Sequence, residues 1–287
     1  MILSIVIVAY KNGIELINCI NSIFSYNDLG DQLEILIVDN SPDRTVELLL
    51  NDVKGISYYK NEENGFGRGN NLGFLNSTGK YVFFLNPDTV INDYCFKRMI
   101  DLYNRDPLIG MMGFKLIDEE RQEHNSYNMR LNYGIAKKVI LKTSRYFRLF
   151  MPKLMYTCGA DILIDRDTFI KIGMFDENIF MYSEEEDIAF RLNRIGKKIA
   201  YDSSIVITHL QGKSTGHQDL NNRKRMLDSS KYVCEKHGYS FRREIKKEVR
   251  AMKVINGICI CLGKPRKYSD EIVNYYKSVS ADKEKYV

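Results

Sequence analysis

The chain has 287 residues, 44% of them hydrophobic, with 42 Lys+Arg against 37 Asp+Glu and a formal charge of +5. That is enough for one substantial core, and it suits one large α/β domain with an appendage. No stretch reaches the ~18–20 apolar residues of a spanning helix. The nearest, Val254 to Leu262, is far shorter and contains Asn256 and Gly257.

The charge is uneven. Residues 211–287 hold 18 Lys+Arg and 9 Asp+Glu, net +9, and residues 1–210 hold 24 and 28, net −4. A basic tail fits either a polyanionic surface (membrane phosphate or nucleic acid) or a solvated helical face. Cys19, Cys95, Cys158, Cys234, Cys259 and Cys261 form no CxxC pair and no zinc spacing. They read as small core residues of a reducing cytoplasm. Only Met1 precedes the first apolar run, with no basic region and no cleavage site, so that run reads as a strand rather than a signal peptide.

Strand and helix patterns alternate from the start. Ile2 to Ala9 is a continuous Ile/Val-rich run, the pattern of a strand buried on both faces. Ile14, Ile17, Cys19, Ile20, Ile23 and Phe24 repeat at helical spacing. Glu34 to Val38 predicts a second strand, ending in Asp39-Asn40-Ser41-Pro42, where Pro42 suits the first turn of a helix and Ser41 its N-cap. Ile56 to Tyr59 predicts a third strand, Gly65 to Gly79 a Gly/Asn-rich loop with a short helix, and Tyr81 to Leu85 a fourth strand. This order predicts a mainly parallel sheet with helices on both faces. Further on, Ile109 to Ile117 predicts a strand and 118–155 a polar, then basic, insertion. Tyr156 to Ile164 predicts one strand, Ile188 to Ile195 an amphipathic helix, and Lys198 to Thr208 a strand leading to His209. The tail from Leu220 to Lys253 is charged and helical in pattern.

Ligands of such sheets collect at the carboxyl ends of the strands. Tyr10 and Asn12 follow strand one, Asp39 and Asn40 strand two, and Asn86 and Asp88 strand four. The loop from Asn64 to Gly73 fails the dinucleotide fingerprint, because Asn70 and Leu72 stand where glycine is required. It remains a turn before a helix N-terminus that can approach a phosphate or sugar, or a plain glycine turn. Asp39 fits either a capping Asx turn or a hydrogen-bond acceptor for a base or ribose. Asn86-Pro87-Asp88 offers hard oxygen ligands on a stiff turn, as a cation bridging two phosphates requires. Glu184-Glu185-Glu186-Asp187 opens a helix, with Ser183 placed as N-cap. Four adjacent carboxylates exceed what capping needs, and their repulsion raises one pKa toward that of a general base. His209 ends a strand and is either structural or a ligand. There is no HExxH, which argues against a zinc hydrolase. Lys137 to Lys153 has six basic residues, no acidic one and interleaved apolar pairs. It fits a helix on an anionic membrane or an acceptor-side helix packed on the sheet.

Taken together, these motifs resemble family-2 glycosyltransferases of the rhamnosyltransferase-like branch. The matching pieces are Ser4 to Asn12, Ile37 to Ser41, Asn64 to Gly67 with Asn70 to Gly73, and Leu85 to Thr89. Gly173 to Glu177, Phe180 to Asp187 with Arg191, and His209 to Ser214 complete the set, which covers residues 1–216. The resemblance implies a GT-A fold, a catalytic domain over 1–216 and a basic helical extension over 217–287. Within the domain, 1–117 is the nucleotide-sugar half and 118–216 the acceptor and catalytic half. It implies inverting transfer from a nucleoside diphosphate sugar, UDP- or dTDP-linked, to a lipid-linked glycan in surface polysaccharide synthesis. Carried over by position, Ala9, Tyr10, Asn12 and Asp39 hold the nucleoside. Asn64, Gly65 and Asn71 lie near the donor's ribose, phosphate or sugar. Asp88, His209 and Asn86 bind a divalent cation, Mg2+ or Mn2+, and Asn86 and Asp88 also face the donor. Counting back from Arg191, the family's Glu-Asp pair aligns with Glu184 and Glu185, so glutamate replaces aspartate at 185. Either can be the base, with Asp187 in support.

Two other classes compete. A sugar-phosphate nucleotidyltransferase would carry a Gly-rich basic loop after strand one, where this chain has Ala9-Tyr10-Lys11-Asn12-Gly13. A non-catalytic carbohydrate- or nucleic-acid-binding module would use the basic tail. Two acidic clusters facing the cleft would repel a polyanion, so no nucleic-acid partner is expected. The expected setting is the cytoplasm, with peripheral contact at the inner face of the cell membrane as the second expectation.

Overall fold

The computed structural model describes residues 1–63, 65–123, 126–130, 134–210 and 220–281. Its strands are β1 (Leu3–Ala9), β2 (Leu33–Asp39), β3 (Ser57–Lys60), β4 (Tyr81–Leu85), β5 (Thr89–Ile91), β6 (Ile109–Ile117), β7 (Tyr127–Met129), β8 (Met155–Thr157), β9 (Asp161–Asp165) and β10 (Lys198–His209). Eight of them form one sheet in the order β3-β2-β1-β4-β9-β6-β10-β5, and β7 pairs with β8 separately. The Ile/Val run of β1 is buried along its whole length and pairs in parallel with β2 and β4. β2 pairs in parallel with β3, and β10 with β6. Both partners of β9, and the β5–β10 pair, are antiparallel. The expected mainly parallel sheet is therefore present, with one reversed strand at its centre and one at its edge.

The helices are α1 (Ile14–Ser25), α2 (Thr45–Leu49), α3 (Phe66–Leu75), α4 (Phe96–Asn104), α5 (Ile135–Phe147), α6 (Arg166–Lys171), α7 (Glu184–Arg194), α8 (Leu220–Lys236), α9 (Phe241–Cys261) and α10 (Asp270–Ala281). α3 lies flat on the sheet because two glycines one turn apart face it. A Cβ at Gly69 would come within 2.9 Å of Val8, and one at Gly73 would overlap Val6 and reach 3.2 Å from Val38.

Two local expectations change, and one strand is added. The run Tyr156 to Ile164 is not one strand: it breaks at Gly159-Ala160 into β8 and β9. Pro42 does not open a helix. α2 starts at Thr45, where Asp43 Oδ1 accepts the Thr45 N–H at 3.0 Å, and Ser41 Oγ instead accepts the Lys11 N–H at 2.8 Å. The segment Thr89–Ile91 is a strand, held by β10.

The chain separates into two compact units, Met1–Asn128 with Met151–Ser229, and Met129–Phe150 with Ser230–Val287. This differs from a break at 216/217 in two ways: 129–150 fall in the second unit, and 217–229 fall in the first. The first difference has a local reason: α5 packs on α9.

Gly73→Ala should destabilise the first unit by about 1–3 kcal/mol through overpacking against Val6 and Val38, read as a lower urea midpoint with unchanged m.

Candidate active site

The turn after β1 is built from backbone donors and short polar side chains. Ala9 is buried, Tyr10 is 46% exposed, and Lys11 adopts a left-handed φ of 53°. The Tyr10 N–H donates to Asn12 Oδ1 at 2.7 Å. Asn12 Nδ2 and the Gly13 N–H donate to Glu15 Oε1 at 3.2 and 3.0 Å. Burial pushes the Glu15 carboxyl up, but these donors outweigh it and hold the group below the usual glutamate value. Glu15 also feels the charge of Asp88, so the turn after β1 and the turn after β4 share one electrostatic neighbourhood. Sequence reasoning passed over Glu15; its signal is a carboxylate three residues after Asn12 in the first turn of a helix.

Asp39 ends β2 fully buried. Its Oδ1 accepts the Ser41 N–H at 2.8 Å, and its Oδ2 accepts Tyr58 Oη and Lys60 Nζ, each at 2.8 Å. Burial raises its pKa, and these hydrogen bonds more than reverse that, so the group is a firmly held carboxylate. Gly65 caps α3 with φ 149°, a conformation that only glycine adopts readily, and its carbonyl accepts Asn40 Nδ2 at 3.0 Å. Asn64 lies outside the described residues. Asn71 is buried with its amide committed: Nδ2 donates to Phe175 O and Glu177 Oε1, and Oδ1 accepts the Phe175 N–H, all at 3.0 Å. It therefore anchors the segment leading to α7.

Asp88 and His209 meet because β5 and β10 pair on either side of them. His209 is opposite Thr89, and the Leu210 N–H donates to Asp88 O at 2.8 Å. His209 Nε2 lies 3.3 Å from Asp88 Oδ1, and both side chains are buried. His209 Nδ1 is buried with no hydrogen-bond partner among the described residues. Asn86 uses its backbone on both sides, while its side-chain amide has no partner among the described residues. One carboxylate oxygen source and one imidazole, side by side with a free amide next to them, fit a divalent cation that takes its remaining ligands from elsewhere. Among the described residues no three His, Cys, Asp or Glu side chains gather into a closed metal site.

The acidic cluster opens α7. Tyr182 and Ser183 both adopt left-handed φ values, 72° and 70°, which costs about 1–3 kcal/mol each for non-glycine residues. Ser183 is not the expected side-chain cap: it stands at the N-cap with a left-handed backbone, and its side chain makes no capping hydrogen bond. Glu184 is buried, and burial followed by the Glu185 charge pushes its carboxyl well above the usual value; its Oε1 has no partner among the described residues. Glu185 is half-buried over Gly159, where a Cβ would come within 2.9 Å of its carboxyl carbon. Burial raises its pKa too, against a hydrogen bond from the Gly159 backbone. Asp187 is engaged otherwise. Its Oδ2 accepts Arg191 Nε at 2.8 Å, and Arg191 Nη1 donates to Ile172 O and to Met174 O, the latter at 2.6 Å. The pair ties α7 to the left-handed turn at Gly173-Met174.

The two halves connect through the start of β9. The Asn86 N–H donates to Ala160 O at 2.9 Å, and Glu185 lies over the adjoining Gly159. Asp88, His209 and Glu185 are thus drawn toward one edge of the sheet, at the carboxyl end of β4. Asp161 sits behind that edge, fully buried. Its Oδ2 accepts the Phe114 N–H at 2.7 Å, its Oδ1 has no partner among the described residues, and burial pushes its pKa well up. Sequence reasoning gave it no role, although a carboxylate inside Ala160-Asp161-Ile162-Leu163-Ile164 was the visible signal.

The model of glycosyl transferase family 2 matches residues 4–173, more than half of the chain. The chain belongs to glycosyl transferase family 2. That span contains the turns after β1, β2 and β4 and the start of β9. Among curated relatives, an uncharacterised glycosyltransferase of Rickettsia prowazekii is 27% identical over 77% of this chain and 67% of its own length. The rhamnosyltransferase WbbL of Escherichia coli K12 is 23% identical over 60% of this chain and 70% of its own. The matches thus span about two thirds of these relatives. A shorter match, 38% identical over 20% of this chain and 19% of the relative, is to an N-acetylglucosaminyl-diphospho-decaprenol L-rhamnosyltransferase of Mycobacterium tuberculosis. Among solved structures, GalNAc-T7 with UDP, GalNAc and Mn2+ superposes with a TM-score of 0.64 at 13% identity, over 97% of this chain and 54% of that one. The mannosyltransferase PcManGT of Pyrobaculum calidifontis, with GDP-Man and Mn2+, gives 0.60 at 13% identity, over 97% and 79%. The fold is GT-A, and the family places the chain among glycosyltransferases.

Glu184 binds a proton more tightly folded than unfolded, so stability should fall as pH rises from about 4.3 through its raised folded pKa. Glu184→Gln should flatten that slope and raise the melting temperature at pH 8, with little difference near pH 4, measured by calorimetry across pH.

Proposed function

We propose that this chain is an inverting, cation-assisted transferase. It moves a sugar from a UDP- or dTDP-linked donor to a hydroxyl of a lipid-linked glycan in surface polysaccharide synthesis. The observation that carries the reading is the link from Asp88 and His209 through Asn86–Ala160 to Glu185. It supports a diphosphate-binding pair and a proton-accepting carboxylate at one sheet edge.

In this reading Asp88 and His209 hold Mg2+ or Mn2+, with the Asn86 amide beside them. A bound cation supplies neutralisation of the charge that grows on the departing diphosphate. Two neighbours solved with Mn2+, one with UDP and one with GDP-Man, support a nucleotide-sugar donor and a cation for this fold. Ala9, Tyr10, Asn12 and Asp39 form the nucleoside end. Asp39, locked by Lys60 and Tyr58, fixes the shape of that end, and Asn12, locked by Glu15, fixes the turn. Gly65 lets the α3 N-terminus approach the donor, and Asn71 holds the 175–177 segment against it.

Glu185 takes the proton of the acceptor hydroxyl as that oxygen bonds the anomeric carbon and the nucleoside diphosphate leaves. A carboxylate raised by burial is a stronger base than one in water, and half-burial leaves it reachable. Glu184 is more deeply buried and supports its neighbour; Asp187 is committed to Arg191 and positions the helix. One carboxylate at the acceptor face is enough for a single displacement, whereas a retaining reaction would need a second group as nucleophile. Two relatives named as rhamnosyltransferases, one for a diphospho-decaprenol-linked sugar, support a rhamnosyl or hexosyl donor and a lipid-linked acceptor.

The reading is tested by titrating a panel of nucleotide sugars with and without Mn2+. Asp88→Ala should remove the cation dependence of donor binding and lower turnover at least ~100-fold. Turnover at the wild-type rate in that variant sinks the assignment. Glu185→Gln should leave donor affinity unchanged and lower kcat by about 100- to 10,000-fold. The wild-type kcat/KM should fall as pH drops through the raised Glu185 pKa, and the variant should lose that limb. If Glu184→Gln alone abolishes turnover, the base is Glu184.

A further inference from the structure

We propose that the second unit, Met129–Phe150 with Ser230–Val287, docks on an anionic phospholipid bilayer through the outward stripe of α5 and the apolar end of α9. The proposal deepens the acceptor side of the proposed function and takes its biological purpose from that reading, but its physics stands apart from it.

Dividing the chain by its contacts separates charge more sharply than dividing it along the sequence. The second unit holds 20 Lys+Arg and 7 Asp+Glu, net +13, and the first holds 22 and 30, net −8. The positive charge borders apolar side chains that face water. On α5, Ile135, Val139, Lys142 and Tyr146 recur at helical spacing and are all exposed. Ser144, on the opposite face, is buried, and Lys138 at the flank of the stripe reaches inward: its Nζ donates to Tyr268 Oη at 2.6 Å and lies 3.6 Å from Glu248. Tyr146 and Phe147 are 81% and 62% exposed, with rings edge to face 4.9 Å apart. Arg148 ends the helix in a left-handed cap, and Leu149 beyond it is exposed as well.

α9 repeats the pattern. Ile245, Val249, Met252 and Asn256 form its buried face, with Asn256 bonded to the Tyr268 backbone in both directions. Its last turns expose Val254, Ile258 and Ile260, and Leu262 follows. Lys253, Lys264 and Lys267, all exposed, border that apolar end.

An occupant must take aliphatic and aromatic groups and meet mostly positive charge: residues 134–150 contain no Asp or Glu, and beside the α9 end Lys253, Lys264, Arg266 and Lys267 outnumber Asp270 and Glu271, with Asp270 paired to Arg266. Headgroup phosphates over an acyl layer have that arrangement, and Tyr and Phe with Lys and Arg are the side chains that partition there. A nucleic acid would satisfy the charge but leave the aliphatic stripe unmatched. Among the described residues no helix is long and apolar enough to cross a membrane, so the contact lies in the interface plane.

The test is flotation of the full chain with phosphatidylcholine vesicles, with and without phosphatidylglycerol, in the absence of donor and acceptor. Binding to the anionic vesicles should exceed that to neutral ones at least ~10-fold and collapse at high salt. Tyr146→Ser with Phe147→Ser, and separately Ile258→Ser with Ile260→Ser, should each reduce it about 10-fold without lowering the melting temperature. Equal binding to both vesicle types, or unchanged binding in both double variants, overturns the proposal. So does conversion of a dimer to a monomer by the α5 variant with vesicle binding intact, since the face then belongs to a second copy. Asp88→Ala should float like the wild type. Loss of transfer with normal flotation therefore bears on the reaction alone, and normal transfer to a water-soluble acceptor without flotation bears on docking alone.

Discussion

The antiparallel pairing of β4 with β9 is the constraint on which the candidate site depends. Leu85 is opposite Asp161, and the Asn86 N–H closes on Ala160 O at 2.9 Å. Because β9 runs backwards, its first residues, rather than its last, lie at the carboxyl end of β4. A parallel strand in the same place would send Gly159 and Ala160 to the far edge of the sheet. The reversal thus brings the loop that receives Glu185 next to the turn that carries Asp88. Register matters as much as direction. A slip of one residue would turn Asp161 out of the core and withdraw the gap at Gly159 that Glu185 fills.

Among the described residues, five buried carboxylates lie around this edge, and the fold treats them in three ways. Asp39 and Asp187 are given cations and donors, Lys60 with Tyr58 for one and Arg191 for the other, so burial costs them little and they serve as fixed struts. Glu184 and Asp161 have no cation in contact among the described residues, and burial pushes both toward the neutral form. Asp88 stands apart, facing an imidazole whose second nitrogen is unpartnered among the described residues. Fully paired groups do not readily change partners, so the proposed cation chemistry falls on Asp88 and the proposed proton chemistry on half-buried Glu185 beside Glu184. The left-handed Tyr182-Ser183 step belongs with them. It leads directly into α7, whose first turn buries Glu184 and Asp187.

Much of this was legible in the sequence, and the exceptions have physical causes. The boundaries of β4 and β6 were readable because continuous apolar runs bounded by polar turns leave little choice. The motifs at Asn86-Pro87-Asp88 and Glu184 to Asp187 stood out by composition. The break at Gly159 did not, since periodicity continues through Tyr156 to Ile164 and only a side chain from a distant helix explains the glycine there. The role of Asn71 was unreadable for the same reason: its partners, Phe175 and Glu177, are remote in sequence. Ser41 and Ser183 satisfied the residue preference for a helix cap, but the left-handed backbone at 183 and the Lys11 N–H at 41 directed them elsewhere. Local preference gave way to long-range contact in each case.

The charge division bears on how a substrate would be held. A unit with net −8 repels a nucleoside diphosphate at long range, so the donor in the proposed reaction cannot rely on the general field of the unit that binds it. Screening limits that repulsion to about 8 Å at physiological salt, which leaves the outcome to groups within contact distance. Locking Lys60 onto Asp39 removes one nearby cation from that role, and the carboxylates of Glu15 and Asp88 add to the local negative charge. In the proposed reaction such an arrangement would hold a diphosphate through a divalent cation placed between like charges, which would make donor binding conditional on the cation. The same reasoning runs the other way for the second unit. With net +13, joined to the first unit by continuous chain at 128/129, 150/151 and 229/230, it would be drawn to an anionic surface that repels its neighbour, so contact with that surface would fall to the second unit.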